Sequence, residues 1–379
     1  MYPIRAVVVD DSAFMRKIIS DLLAGDPDIQ VVGKGRNGLE AIELVKKLSP
    51  DVITLDVEMP VMSGIEALEQ IMKVSPLPVV MLSSLTQHGT SETIRALEMG
   101  AVDFISKPSG AISLDLHKIG AEIVQKVKEA AGVKVSRLIK SEIAPLRVSP
   151  LLRSGGQHHP GSVLAEKETV RDDNEKKIWH AEDGRRNVHN LVAIGTSTGG
   201  PKALQVLLRD FPRDFRGAVV IVQHMPPGFT KSLAQRLNSL CEIEVTEAED
   251  NQVLKEGHAY IAPGNYHMEI RQRTDGELYI SLNQSQPRGG HRPSVDMLFE
   301  SIARIHHPAK YAIIMTGMGS DGTAGLKKLK ETGNCTVIAQ DESTCVVFGM
   351  PRAAIRAGTV DIVAPLHEIS VQLMRCLSS

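Results

Sequence analysis

Leu191-Val-Ala-Ile-Gly-Thr-Ser-Thr-Gly-Gly-Pro-Lys-Ala-Leu204 is the stretch on which the reading of the chain turns. Leu191 to Ile194 predict a buried parallel strand, and Gly195-Thr-Ser-Thr-Gly-Gly200 forces a sharp turn. Pro201 suits the first turn of a helix, where a missing N–H costs nothing. Strand, Gly-x-Ser-x-Gly turn and helix lift one hydroxyl to the carboxyl edge of a sheet and aim helix N–H groups at whatever binds there. A nucleophilic serine and a phosphate cradle both fit this turn, so the choice rests with the rest of the chain.

The sequence has 379 residues, which implies two domains. Its net charge of -2 provides no basic field to hold nucleic acid by phosphate neutralisation. Cys241, Cys335, Cys345 and Cys376 form no C-x-x-C pair, so neither a zinc site nor a disulfide framework is expected. Without a signal-peptide layout or an apolar run of the ~18 residues that span a bilayer, a cytoplasmic protein with no membrane insertion is expected.

In the first third, strand and helix signals alternate five times. Strands are expected at Ile4–Val9, Gln30–Val32, Asp51–Leu55, Pro78–Leu82 and Ala101–Ile105. Helices are expected from Ser12 (stripe Phe14, Ile18, Ile19, Leu22, Leu23), at Gly38–Leu48, at Ser63–Lys73, near Glu92–Met99 and from about Leu114 to Ala131. This is the pattern of a doubly wound parallel sheet. Asp10 and Asp11 follow the first strand, Asp56 the third, Ser83 the fourth and Lys107 the fifth, so all face one crevice. Three converging carboxylates repel one another unless a hard cation such as Mg²⁺ lies among them, and such a site suits phosphoryl transfer, with Ser83 and Lys107 on the phosphoryl oxygens. Singly, each Asp could merely cap a helix.

On these residues, 3 to about 125 resemble the receiver domain of two-component response regulators, a flavodoxin-like fold. The resemblance implies Asp10, Asp11 and Asp56 as Mg²⁺ ligands and Asp56 as phosphoacceptor. It also implies Ser83 and Lys107 as partners of the phosphoryl group, Phe104 as the switch aromatic, and a cis bond at Lys107-Pro108.

Residues 126–187 are expected to be a linker, with periodicity lost beyond Gly132. Ser149–Ser162 is rich in turn formers, and Glu166–Arg186 is dense in mixed charge. His158 and His159 there are expected to be solvated rather than metal ligands. Trp179, the sole tryptophan, has no assigned role.

From 188 to 379 the alternation resumes, as a mostly parallel Rossmann-like sheet. Gly217–Val222 reads as a strand closed by Gln223-His224, and Thr230 as the cap of a helix carrying Leu233, Leu237 and Leu240. His258–Ala262 is a short strand, and Met268–Ile270 and Leu278–Leu282 an antiparallel hairpin around Asp275-Gly276. Lys310–Met315 precedes Thr316-Gly-Met-Gly-Ser-Asp-Gly322, and Thr336–Ala339 is a further strand.

Ser197, His224 and Asp321 thus lie at the ends of three strands. A serine that attacks a carbonyl needs a base, and an imidazole base needs a carboxylate to fix its tautomer. Backbone N–H groups around Thr198 or Met318 could form an oxyanion hole, where one donor is worth roughly 3 kcal/mol. Each residue also has a bland reading as a cap or turn residue, and the order Ser, His, Asp is not that of α/β-hydrolases.

Residues 188 to about 377 resemble the catalytic domain of the chemotaxis protein-glutamate methylesterases, the CheB family of response regulators. The motifs are Ile194–Gly200, Gln223-His-Met-Pro226, Ile261-Ala-Pro-Gly264, His291-Arg-Pro-Ser-Val-Asp296 and Thr316–Gly322. The resemblance implies hydrolysis of glutamate γ-methyl esters on chemoreceptors, with deamidation of receptor glutamines and a chemotaxis histidine kinase as phosphodonor. It implies Ser197 as nucleophile, His224 as base, Asp321 as its partner, and Thr198 and Met318 as support near the oxyanion, with no cofactor in this domain. In His291–Asp296, Ser294 is read as a helix cap and no catalytic role is expected. The competing reading is a receiver joined to a nucleotide- or anion-binding module without covalent chemistry.

Overall fold

The computed structural model describes residues 2–107, 116–135 and 188–378. Pro108, His158, His159 and Trp179 lie outside the described residues, as does most of the expected linker.

The first sheet contains β1 (Ile4–Val9), β2 (Ile29–Gly35), β3 (Val52–Asp56), β4 (Val79–Ser83) and β5 (Asp103–Ser106). Between and after them run α1 (Ala13–Ala24), α2 (Gly38–Leu48), α3 (Gly64–Val74), α4 (Gln87–Glu98) and α5 (Leu116–Ala131). The strand order is β2-β1-β3-β4-β5 with every pairing parallel, so the order reverses beside β1 and a crevice opens there at the carboxyl ends. Ser12, Asn37 and Thr86 cap their helices through side-chain oxygens, and Ser63 forms a reciprocal capping box with Glu66. The Thr86 cap starts α4 at Gln87, five residues before the expected start, because its oxygen accepts from the Gly89 N–H at 3.0 Å. Phe14 does not belong to the buried stripe of α1; it is exposed, and Ile19 and Leu23 carry the burial.

The second sheet is built from β6 (Asn190–Thr196), β7 (Ala218–Gln223), β8 (Glu244–Glu247), β9 (His258–Ile261), β12 (Ala309–Ile314), β13 (Cys335–Gln340) and β14 (Ile362–Ala364). Its order is β14-β13-β12-β6-β7-β9-β8, parallel throughout. The hairpin β10 (His267–Gln272) and β11 (Leu278–Asn283) is antiparallel and stands as its own two-stranded sheet. The helices are α6 (Gly200–Arg209), α7 (Phe229–Asn238), α8 (Val295–Ala303), α9 (Thr323–Glu331), α10 (Met350–Arg356) and α11 (Leu366–Ser378). β6 is followed by β7 on one side and flanked by β12 on the other, so the switch point of this sheet lies at the end of β6.

Two expectations about α7 give way. Gly228, not Thr230, is its N-cap. Thr230 is buried; its hydroxyl donates to Glu247 at 2.6 Å and accepts from the Gly264 N–H at 3.1 Å, tying the helix to β8 and to the loop after β9. Leu240 lies past the helix end.

The two α/β units touch along α4, α5 and α7. Phe104 within β5 packs on Phe229, ring centroids 4.3 Å apart, and both are buried. Thr90 and Ser232 share a hydrogen bond at 2.9 Å, and Arg236 makes a two-pronged pair with Glu98 at 2.8 and 2.9 Å.

Candidate active site

β6 ends in a loop whose backbone is tied on both sides. The Ser197 N–H donates to Thr316 O at 3.0 Å, so the serine loop leans on the loop after β12. The His224 N–H donates to Thr196 O at 3.1 Å, which joins it to the loop after β7. Gln223 completes the tie: its amide accepts from the Thr196 hydroxyl at 2.5 Å and donates to Ser197 O and His224 O, each at 3.0 Å. Two glycines are required by close approach. A Cβ at Gly200 would stand 1.9 Å from the Gln223 amide oxygen, and one at Gly317 2.7 Å from Ser197 Cβ. Gly199, at φ 78°, turns the chain into α6.

These ties bring Ser197, His224 and Asp321 into one cleft of about 820 Å³, which Thr198 and Met318 also line. His224 Nε2 lies 2.8 Å from Asp321 Oδ2, with both side chains buried. Asp321 is densely coordinated: Oδ2 also accepts from the Val295 N–H at 2.7 Å, and Oδ1 accepts from Ser294 Oγ and from the N–H groups of Asp296 and Gly322 at 2.9 to 3.0 Å. Burial alone would raise this carboxyl, but the bond from His224 and the backbone donors outweigh it and hold it down at about 2. The carboxylate therefore stays ionised and keeps a proton on Nε2. His224 Nδ1 is buried and has no hydrogen-bond partner. It is the ring nitrogen left to exchange a proton with a hydroxyl in the cleft.

His291 enters the same cleft, although the sequence gives it no catalytic expectation. Its ring lies parallel to that of His224, centroids 3.9 Å apart and planes within 4°. The expected helix cap in this motif is present, with Ser294 Oγ accepting from the Met297 N–H at the start of α8.

The opposite wall of the cleft comes from the first unit: Asp103, Glu122, Gln125, Lys126 and Glu129. The Thr198 hydroxyl donates to Asp103 Oδ2 at 2.7 Å, one residue beyond Ser197. Gln125 Nε2 reaches Met318 Sδ at 3.8 Å, and Lys126 bridges Asp103 and the Phe104 carbonyl at 3.0 and 2.6 Å. Burial first, then the neighbouring Asp103 charge, push the Glu129 carboxyl up to about 7 against the opposing pull of Gln125, Lys126 and Thr198.

In the first unit the crevice residues also converge. The carboxylates of Asp10, Asp11 and Asp56 lie within 4.8 Å of one another, Asp10 and Asp56 buried and Asp11 exposed. Lys107 Nζ lies 2.9 Å from Asp10 and 2.5 Å from Asp56. Burial holds the Asp56 carboxyl up at about 6 against the pull of Lys107, with Asp10 and Asp11 adding repulsion. One lysine against three carboxylates leaves negative charge and hard oxygen donors, a set that fits Mg²⁺. Ser83 is buried beside them and donates to Gly89 O at 3.1 Å, which links β4 to α4. Phe104 is the buried aromatic already described against Phe229.

Comparisons with known proteins agree with this division. Residues 6–117 match the response regulator receiver domain family, and residues 192–373 match the CheB methylesterase family. The chain is 50% identical over 377 residues to the protein-glutamate methylesterase/protein-glutamine glutaminase of Geobacillus kaustophilus, covering all of this chain and 99% of that protein. It is 45% identical over 381 residues to the same-named protein of Bacillus subtilis, covering 99% and 98%. The crystal structure of the Thermotoga maritima CheB methylesterase catalytic domain aligns at 45% identity and TM-score 0.48, covering 49% of this chain and 97% of that one. The protein is thus a response-regulator receiver joined to a carboxylic ester hydrolase of α/β architecture. It belongs to the protein-glutamate methylesterase/protein-glutamine glutaminase family of chemotaxis response regulators. That membership replaces the reading as an anion-binding module, and none of the described helices is long and apolar enough to cross a membrane.

Proposed function

We propose that the chain is a phosphorylation-gated serine esterase acting on glutamyl γ-methyl esters of chemoreceptors, with Ser197, His224 and Asp321 as its triad. The observation that carries this is the buried His224–Asp321 pair at 2.8 Å, with its second ring nitrogen unpartnered in the cleft that holds Ser197. Ser197 Oγ attacks the ester carbonyl while His224 Nδ1 takes its proton. The tetrahedral oxyanion collapses, the C–O bond to the methoxy group breaks, and His224 returns the proton so that methanol leaves. Water, deprotonated by His224, then attacks the acyl-serine, releasing glutamate and restoring the hydroxyl. With a glutamine side chain the first leaving group is ammonia. Thr198 and Met318, which line the same cleft, are the residues assigned to support the oxyanion.

The gate is the receiver, whose last helix α5 runs past the expected boundary at 125 to Ala131 and packs on the receiver core, so the linker to the catalytic domain at 188–379 begins beyond that helix and not at 126. Asp103, Gln125 and Glu129 close one side of the cleft, and Phe104 plugs against Phe229. Asp10, Asp11 and Asp56 would hold Mg²⁺, which when bound offsets charge between these carboxylates and an incoming phosphoryl group. A chemotaxis histidine kinase is the natural phosphodonor, Asp56 the acceptor, and Ser83 and Lys107 the partners of the phosphoryl oxygens. Ser83 now bonds the start of α4, and α4 packs on α7 through Thr90 and Ser232, so withdrawal of Ser83 toward a phosphoryl group loosens the docked face. The test is methanol release from a methylated receptor fragment with and without acetyl phosphate. Wild type should be stimulated and Asp56→Asn should not; equal stimulation of both would place the phosphate elsewhere.

The docked face also depends on pH. Glu129 is held near 7 in the closed form, above the 4.5 of a free glutamate, so the protonated acid favours closure. Its contribution is complete below about 4.5 and is lost as pH rises through about 7. Unphosphorylated activity should therefore climb more steeply between pH 6 and 8 in wild type than in Glu129→Gln, which stays neutral. Superimposable profiles would remove Glu129 from the gate.

A further inference from the structure

We propose that His291 is a positioning residue for the hydrolytic step: its imidazole, stacked flat on His224, fixes that ring so that Nε2 stays on Asp321 and Nδ1 stays available to the nucleophile. This rests on the triad reading above and adds a residue to it. A single hydrogen bond at Nε2 leaves an imidazole free to rock about that contact, since ring torsions of this kind are broad. A parallel ring 3.9 Å away removes that freedom.

The segment carrying His291 is built to hold it still. Arg288 and His291 exchange backbone hydrogen bonds, each at 3.0 Å, around Gly289-Gly290. Both glycines have positive φ, 58° and 86°, as a tight two-residue turn of this hand requires. Just beyond, Ser294, Val295 and Asp296 donate to Asp321. One short stretch therefore clamps two triad members, Asp321 by hydrogen bonds and His224 by stacking. Among the described residues the His291 ring nitrogens take no hydrogen-bond partner, so the stack is its principal contact in the cleft. Burial foremost, then the neighbouring His224 and Lys126, push its pKa down to about 4. The ring thus stays neutral and sets no positive charge against the imidazolium that forms on His224 during each proton transfer.

The test uses the full chain with saturating acetyl phosphate and a methylated receptor fragment. Displacing a reacting group by about 1 Å costs on the order of 100-fold, so His291→Ala should lose roughly 10- to 100-fold in kcat with KM within about twofold. His291→Phe, which keeps a stacking ring, should recover to within about threefold of wild type, and His291→Gln, which keeps polarity without a ring, should stay as slow as Ala. Wild-type kcat in Ala or Gln, or a Phe variant as slow as Ala, overturns the proposal. Should Ala fail to fold, the Phe and Gln pair still decides. Ser197→Ala and His224→Ala run alongside: if they retain turnover, the triad reading fails, and if they are dead while His291→Ala is unaffected, only the role of His291 fails.

Discussion

Ser197→Ala is expected to lower methanol release from a methylated receptor fragment by at least about 1,000-fold, with folding intact. The alanine removes one oxygen from a half-buried position in the cleft. What disappears is the covalent route. His224 would then have only water to activate, and water lacks the fixed approach that the β6 loop gives the hydroxyl through the Thr316 and Gln223 ties. Labelling by a fluorophosphonate should be lost in parallel, since the reagent needs the same activated oxygen. Methanol release within about tenfold of wild type would assign the nucleophile to another group.

The site was readable to the extent that it hangs on strand ends. Ser197, His224 and Asp321 each follow a short apolar strand that ends in a loop of glycine or proline, and parallel sheets collect such loops at one edge. Asp10, Asp56, Ser83 and Lys107 were readable for the same reason. The elements that escape a sequence reading are those whose apolar content is set by distant partners. β8, Glu-Val-Thr-Glu, has one buried residue and exists because it pairs with β9, and β14 is three residues on the edge of β13. α11, by contrast, carries the 3,4 spacing at Leu366, Ile369, Ser370 and Leu373 and was open to the same reasoning as α2.

The closed wall of the cleft left no trace in sequence. Gln125, Lys126 and Glu129 look like the solvated face of an amphipathic helix, because on a receiver alone they would be one. The contacts of Asp103 with Thr198 and of Gln125 with Met318 join residues 95 and 193 positions apart, and no periodicity records them. His291 was missed for a related reason. Its neighbour Ser294 gives a sufficient local explanation of the motif as a helix cap, which is correct as far as it goes. That cap also turns the N–H groups of Val295 and Asp296 toward Asp321 and delivers His291 onto His224. A single local rule was met, and the same residues met a non-local one.

Asp321→Asn should be nearly as damaging as loss of the serine, at about 10,000-fold in kcat, and the reason lies in hydrogen-bond polarity. The carboxylate accepts from five groups: His224 Nε2, Ser294 Oγ and the N–H groups of Val295, Asp296 and Gly322. An asparagine has one accepting oxygen. With its oxygen in the Oδ1 position it satisfies three of these donors, and its amide nitrogen then faces the Val295 N–H and His224 Nε2. To accept from that nitrogen, the imidazole must carry its proton on Nδ1, the tautomer that cannot take a proton from Ser197. The variant should still bind substrate with KM near wild type, because the change lies behind His224. The same carboxylate also supports the fold. With its pKa near 2, below the 3.8 of a free aspartate, it contributes on the order of 2 kcal/mol of stability that is present above about pH 4 and lost as pH falls toward 2. Melting curves at pH 7 and pH 3 should show wild type losing stability across that interval by more than Asp321→Asn, which has no such proton to bind. Turnover of the variant within about tenfold of wild type would overturn Asp321 as the partner of the base, and equal acid sensitivity of the two proteins would overturn the depressed pKa.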